Sequence, residues 1–277
     1  MTDWDDAFDN MGHIPNALSY IDGWPPRAQA FRNSGIKTDP GLAYGTTERE
    51  KVDFFLPEDK PRGLVIFIHG GYWMKLDRSY FSDLAQGSLH HGWAFAIPSY
   101  TLAPEARISG ITLQIARAIQ FSAEKIGGPI CLAGHSAGGH LVTRMICLNG
   151  PLDPMIRTRI QNVLSISGLH DLRNLRKTEL NQTLKLTTSE AISESTCLLQ
   201  PMANANITCW VGAAERPEFF HQSSLLQQSW EKVGANIRLE IAADKHHLNV
   251  CDALKDPESS MITSLLTLQK PTDKTDS

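Results

Sequence analysis

The chain has 277 residues, of which 42% are hydrophobic, and this is enough for one large domain with a substantial core. A formal net charge of −4 gives no reason to expect nucleic acid or an anionic membrane as a partner. The longest apolar runs have the length of strands, so no transmembrane helix is expected, and the acidic N-terminus without an apolar stretch predicts a cytoplasmic protein. The composition leaves the oligomeric state open, including a homodimer.

Strands and helices are predicted to alternate along the chain. Period-two alternation or short unbroken apolar runs predict strands at residues 51–56, 63–68, 93–97, 128–133, 163–167, 207–211 and 237–242. Apolar residues at helical spacing predict helices at residues 78–91, 108–126, 139–148 and 219–233. This order predicts an α/β fold with a mostly parallel central sheet, helices on both of its faces and a small cap.

The remaining segments show little periodicity. Residues 1–43 carry scattered aromatic, glycine and proline residues, and we expect this segment to contribute to the cap or to the rim of a pocket. The main domain is predicted at residues 44–269, and the polar residues 170–203 within it occupy the position of a cap insertion. Residues 270–277 are polar and are predicted to form a flexible tail.

A glycine pair follows the first long apolar strand. Residues 63–68 lead into the sequence His69-Gly70-Gly71-Tyr72-Trp73. Glycines let backbone N–H groups approach a ligand closely, and in α/β-hydrolases this position supplies donors of the oxyanion hole. We therefore expect Gly71 and Tyr72 to donate to an oxyanion, and a plain Gly-Gly turn is the alternative.

The sequence Gly134-His135-Ser136-Ala137-Gly138 has the pattern of a nucleophile elbow, G-x-S-x-G. It lies between a predicted strand and a predicted helix, and this context favours a catalytic serine over a serine in an ordinary glycine-rich loop. The tight turn would expose the Oγ atom of Ser136. The N–H group of Ala137, at the start of the helix, would then face an oxyanion that forms beside the serine.

Three motifs together resemble one family. Residues 69–73 match H-G-G-x-W, residues 134–141 match G-H-S-A-G-x-H-L, and residues 215–219 match a late acidic residue followed by P-E-F. Residues 100–105 also resemble the Y-R-L-A-P-E segment of hormone-sensitive-lipase-like esterases, with Thr101 in place of the usual arginine. Over residues 10–260 the chain resembles α/β-hydrolases of the esterase/lipase type, and most closely the arylformamidase (kynurenine formamidase)-like group. The resemblance implies serine hydrolysis.

The resemblance also locates the other members of a catalytic triad, because in α/β-hydrolases the serine precedes the acid and the acid precedes the histidine. Glu215 follows the predicted strand at residues 207–211, and Glu218 is its rival; the family pattern favours Glu215. His246 and His247 both follow the last predicted strand. Related sequences carry N-H-F here, which places His247 on the catalytic position and leaves His246 as a residue that lines the pocket.

These residues predict two-step acyl transfer, in which Ser136 attacks an ester or amide carbonyl and His247 moves the protons. Aromatic residues are expected to line the substrate pocket and to suit a flat aromatic leaving group: Tyr72, Trp73 and Tyr100, with Tyr20 and Trp24 from the N-terminal segment. The predicted activity is that of an aryl formamidase with an N-formylkynurenine-like substrate. The alternatives are a short-chain carboxylesterase and a non-catalytic, ligand-binding α/β-hydrolase.

No metal and no cofactor are expected. His135 and His140 flank the elbow, but no set of further ligands accompanies them in the sequence. No G-x-G-x-x-G sequence or P-loop follows a predicted strand. The expected partner is therefore a small-molecule ester or amide, and neither nucleic acid nor a membrane.

Overall fold

The computed structural model describes residues 2–203 and 205–268. Its centre is one eight-stranded sheet in the order β1-β2-β4-β3-β5-β6-β7-β8. The strands are β1 (Lys37–Ala43), β2 (Lys51–Leu56), β3 (Leu64–Ile68), β4 (Ala94–Pro98), β5 (Ile130–His135), β6 (Ile160–Ile166), β7 (Asn206–Gly212) and β8 (Asn236–Ala242). The six neighbouring strands from β4 to β8 are parallel to one another. At one edge, β2 pairs antiparallel with β4, and β1 pairs antiparallel with β2. The predicted fold class is confirmed.

Ten α-helices and six short 3₁₀ helices are described with the sheet. The α-helices are α1 (Trp4–Phe8), α2 (Ala17–Arg32), α3 (Gln86–His90), α4 (Ile108–Lys125), α5 (Ala137–Met145), α6 (Pro154–Arg157), α7 (Asn181–Leu184), α8 (Thr188–Ser193), α9 (Pro217–Glu231) and α10 (Ser260–Leu266). The 3₁₀ helices are Met11–His13, Arg78–Tyr80, Ser82–Ala85, Asn174–Lys177, Thr196–Leu198 and Val250–Lys255. No helix in these described ranges is long and apolar enough to cross a membrane.

The two faces of the sheet carry separate hydrophobic clusters. Along β3, Leu64, Ile66 and Ile68 belong to one cluster, whereas Val65 and Phe67 belong to the other. Successive side chains of a strand point to opposite faces, so a strand covered on both faces has a continuous apolar sequence. Helices α4, α5 and α9 cover the first face, and helices α2 and α10 cover the second.

Two elements of the N-terminal segment are not predicted by its sequence. Helix α2 contains Pro25 and Pro26, which lack an N–H group and disfavour a helix interior. Strand β1 contains Pro40 and Gly41 and pairs with the free edge of β2. Strand β1 thus lies within the predicted N-terminal segment, residues 1–43, and is at the same time part of the central sheet.

The helix predicted at residues 78–91 is interrupted. The structure has two 3₁₀ helices there, followed by the short α3. Phe81, between the 3₁₀ helices, has φ −125° and ψ 14°, which is not helical. Asp77 accepts a hydrogen bond from the N–H group of Ser79 at 3.0 Å and so caps the first turn. Local capping therefore divides a segment whose apolar spacing indicates one helix.

The segment predicted as a cap, residues 170–203, consists of α7, α8, two 3₁₀ helices and connecting loops. It reaches the cavity described below through Glu179 and Leu180. The predicted tail at residues 270–277 lies outside the described residues.

Candidate active site

A cavity of about 450 Å³ lies where β3, β5 and β8 end. The last residue of β5 and the loops after these strands contribute to its wall His135, Gly71, Tyr72, Ser136 and His247. The carboxyl ends of parallel strands meet at one edge of the sheet, where open α/β folds bind their ligands. The structure therefore brings residues from three distant parts of the sequence to one cavity.

The elbow after β5 requires its glycines. Ser136 has φ 56° and ψ −117°, a backbone conformation that residues with a side chain rarely adopt. A Cβ atom on Gly134 would lie 2.2 Å from the carbonyl oxygen of Gly138, and one on Gly138 would lie 1.9 Å from that of Ile68. The turn can thus pack against β3 only with glycine at both positions, and α5 begins directly after Ser136.

Glu215 and His247 form a hydrogen-bonded pair. The Nδ1 atom of His247 lies 2.7 Å from Oε2 of Glu215. The other carboxylate oxygen, Oε1, accepts hydrogen bonds from the Ser167 hydroxyl at 2.5 Å and from the Gly212 N–H group at 2.8 Å. The side chain of Glu215 is fully buried. Three contacts therefore fix the carboxylate, and because Nδ1 of His247 faces Glu215, Nε2 is the ring nitrogen on the opposite side.

Two rings hold His247 from its sides. The ring centroids of His135 and Phe219 each lie 4.5 Å from that of His247. His135 is buried, and burial, together with the charge that His247 can carry, lowers its pKa well below the usual range. His135 is therefore neutral and packs against His247 without competing for its protons.

Glu218 and His246, the alternative candidates for the acid and the histidine, make other contacts. Glu218 accepts a hydrogen bond from Nε2 of Gln222 at 2.7 Å, and burial raises the pKa of its carboxyl group. The Nδ1 atom of His246 accepts a hydrogen bond from the N–H group of Leu248 at 3.2 Å, and its ring packs edge-on against Tyr20. His246 is not among the residues that line the cavity. The expectation that it lines the pocket is corrected, because its ring turns toward α2.

The loop after β3 is built from left-handed residues. Gly71, Tyr72 and Trp73 have φ values of 97°, 51° and 56°. A Cβ atom on Gly71 would lie 2.3 Å from the carbonyl oxygen of Lys75, so only glycine fits there. A Cβ atom on Gly70 would lie 3.0 Å from Cβ of Ser136, which shows how closely the loop passes the elbow. The loop therefore passes directly beside Ser136 at Gly70.

The predicted aromatic wall is only partly present. Tyr72 lines the cavity, and its hydroxyl donates to the carbonyl oxygen of Phe8 at 2.5 Å. Trp24 lines the cavity as well. Trp73 and Tyr100 are fully buried and do not line it, so their prediction as substrate-binding residues is corrected. The ring of Trp73 packs against His140, and the ring of Tyr100 stacks on His69. Both rings therefore belong to the core and not to the cavity wall.

Most of the cavity wall consists of residues that the sequence did not predict to line it. Its apolar part comes largely from Phe8, Met11, Leu18 and Ile21, together with Leu180 and Leu248. Its mouth also carries ionic residues, Asp5, Asp9, Lys75 and Glu179. The spacing of Leu18, Ile21 and Trp24 indicates one helical face and is a signal that could have found α2. No local signal marks Ser167, which contacts Glu215 from 48 positions away.

The sheet, the elbow and the acid–histidine pair are those of an α/β-hydrolase of the esterase type. The model of the BD-FAE family matches residues 52–224, and the chain belongs to this family. It is 30% identical to the kynurenine formamidase of Danio rerio over 81% of this chain and 79% of that protein. The kynurenine formamidase of Salmo salar is also 30% identical, over 81% of this chain and 80% of that protein.

Solved structures agree with this class. A crystal structure described as a "putative thioesterase" of Silicibacter superposes with a TM-score of 0.91 at 45% identity, covering 96% of this chain and all of that one. Esterase B of Lactobacillus rhamnosis, with a bound tributyrin phosphonate inhibitor, has a TM-score of 0.69 at 14% identity and 93% coverage of both chains, and supports the fold alone. The chain is thus a hydrolase, an α/β-hydrolase esterase close to the arylformamidases.

Proposed function

We propose that this hydrolase transfers a small acyl group from an aryl amide or ester to water, with Ser136 as nucleophile, His247 as general base and Glu215 as the acid of a triad. The observation that carries the proposal is the 2.7 Å contact between His247 Nδ1 and Glu215 Oε2. This contact sets the tautomer in which Nε2 is free to accept a proton. Ser136 and His247 line the same cavity.

The proposed reaction has two steps. The Oγ atom of Ser136 attacks the carbonyl carbon while its proton passes to Nε2 of His247, and Glu215 stabilises the imidazolium. The N–H groups of Gly71, Tyr72 and Ala137 donate to the oxyanion, each worth about 3 kcal/mol in the transition state. His247 then returns the proton to the leaving amine or alcohol. Water, activated by the same histidine, hydrolyses the acyl-enzyme.

The best substrate class is an aryl formamide such as N-formylkynurenine. Two relatives that match most of the chain are named kynurenine formamidase. The cavity offers Phe8, Trp24 and Leu180 as an apolar surface for a flat leaving group. A short-chain carboxylesterase is the second candidate, because this apolar cavity also has room for a longer acyl chain.

The test is a substrate panel on one preparation: N-formylkynurenine, p-nitrophenyl esters from formyl to butyryl, and an acetyl thioester, since a similar structure carries that name. The formamidase proposal predicts that kcat/KM falls by about 10- to 200-fold for each methylene that does not fit. Turnover of the butyryl ester without turnover of N-formylkynurenine would establish the carboxylesterase instead. Ser136→Ala is the control, and residual activity within about tenfold of wild type would refute the serine mechanism.

A further inference from the structure

One peptide unit of the loop after β3 has an unusual number of contacts. The carbonyl oxygen of Gly70 lies 2.9 Å from Nδ1 of His69 and 3.3 Å from the hydroxyl of Tyr100. The same hydroxyl lies 3.0 Å from the carbonyl oxygen of His69, so its single proton serves two adjacent carbonyl groups. Both side chains are fully buried. These contacts hold the two carbonyl groups toward the protein interior.

The orientation of this carbonyl determines the orientation of an N–H group. In a planar trans peptide, the C=O group of Gly70 and the N–H group of Gly71 point in opposite directions. If the carbonyl is held toward the interior, the N–H group of Gly71 points away from it, to the side where Gly71 lines the cavity. Gly70 lies next to Ser136. The buried contacts therefore determine whether a proposed oxyanion donor faces the reacting carbonyl group.

The groups that make these contacts keep their protons. Burial lowers the pKa of His69 to about 4, so its ring is neutral and uses Nδ1–H as the donor. Burial also raises the pKa of Tyr100, so the phenol remains a donor. The two rings stack with centroids 4.4 Å apart and an interplanar angle of 10°. Further along, the N–H group of Ala103 donates to the carbonyl oxygen of Trp73 at 2.8 Å, so the segment after β4 holds both ends of the loop.

We propose that Tyr100 is a positioning residue for the oxyanion hole: its hydroxyl holds the His69 and Gly70 carbonyl groups so that the Gly71 N–H group faces Ser136. The inference rests on the proposed serine mechanism and adds a role for a residue that touches no substrate. Glycine at position 71 can leave this conformation easily once the carbonyl groups are released. The tyrosine hydroxyl therefore keeps a flexible loop in its functional orientation.

Tyr100→Phe tests this role, because it removes one oxygen and keeps the ring that stacks on His69. With p-nitrophenyl acetate, we expect kcat to fall about tenfold, the size expected from losing one hydrogen bond, and KM to change less than about twofold. The more specific readout is the ratio of kcat/KM for this ester to that for its thiono analogue, whose sulfur is a weak acceptor. In Tyr100→Phe that ratio should fall together with kcat, because a misplaced N–H donor costs the oxygen ester more than the thiono ester. It is independent of the fraction of folded protein.

Tyr44→Phe is the matched control. The hydroxyl of Tyr44 is also buried and also donates to a backbone carbonyl group at 2.5 Å, but this acceptor is Ser99 and not a residue of the loop. Tyr44→Phe should lower the free energy of unfolding about as much as Tyr100→Phe does, and it should leave both kcat and the ester-to-thiono ratio unchanged. An unchanged ratio in Tyr100→Phe, or an equal change in Tyr44→Phe, would overturn the proposed positioning role. If Ser136→Ala retains wild-type activity, the serine mechanism itself fails, and the two failures are thus distinguished.

Discussion

Replacing Glu215 by glutamine tests the acid–histidine pair at almost constant size. The carboxylate accepts three contacts in the structure: Ser167 and Gly212 donate to Oε1, and Nδ1 of His247 lies against Oε2. A glutamine has one oxygen and one NH₂ group, so it cannot accept on both sides. The question is which side receives the oxygen.

The contacts favour the unproductive orientation. If the amide oxygen faces His247, the NH₂ group faces the Gly212 N–H group, and a buried donor loses its acceptor at a free-energy cost of about 1–3 kcal/mol. If the oxygen faces Gly212, the NH₂ group faces Nδ1 of His247, which must then present a lone pair. The ring proton moves to Nε2, and His247 can no longer accept the proton of Ser136.

The expected loss is large. A preference of about 1–3 kcal/mol leaves roughly one molecule in ten to one in a hundred with the productive tautomer. The productive form also lacks the negative charge that stabilises the imidazolium. Together these effects should lower kcat by about 10³- to 10⁴-fold, in the range found when a triad aspartate becomes asparagine in a serine protease.

The assay is kcat on p-nitrophenyl acetate and N-formylkynurenine, with the melting temperature measured in parallel. Glu218→Gln is the control, because Glu218 contacts Gln222 and not His247, and it should stay within about threefold of wild type. A kcat for Glu215→Gln within about tenfold of wild type would refute the reasoning about the tautomer. Equal losses in both variants would show that Glu215 has no special role.

Two further predictions concern the histidine and the elbow. His247→Ala should lower kcat by about 10⁴-fold or more, and His246→Ala far less; the reverse ranking in steady-state kinetics would show that the assignment is off by one residue. Gly138→Ala places a Cβ atom 1.9 Å from the carbonyl oxygen of Ile68, and should lower the free energy of unfolding by about 3 kcal/mol or more. Gly110→Ala meets no atom within 4 Å in α4 and should not destabilise. Thermal unfolding of both variants checks this, and equal melting temperatures would contradict it.

The central sheet could be predicted from the sequence because burial on both faces leaves a local record. Strands β3, β4 and β5 are buried along their whole length, and apolar residues fill β3, β4 and the first four positions of β5. The edge elements leave no such record. Strand β1 has Pro40 and Gly41 and is formed by pairing with β2, and α2 contains two prolines and is held by packing of Trp24 on Phe81. In both, tertiary contact overrides local propensity.

The elbow and the glycine pair could also be predicted from the sequence, because only glycine fits where two backbone segments almost touch. The order of the strands then placed Glu215 and His247 near Ser136, and their roles stay predictions until they are measured. Their fine geometry came from contacts between distant segments, such as Ser167 with Glu215.

The wall of the cavity was decided by tertiary structure alone. Tyr72 and Trp73 are neighbours, yet Tyr72 lines the cavity and Trp73 is buried against His140. Nothing in residue type separates them; the left-handed turn of the loop sends the two side chains to different sides. A sequence pattern records how strongly a position is buried, but not which distant segment covers it. Which residues meet a substrate therefore depended on how the N-terminal segment folds back over the strand ends.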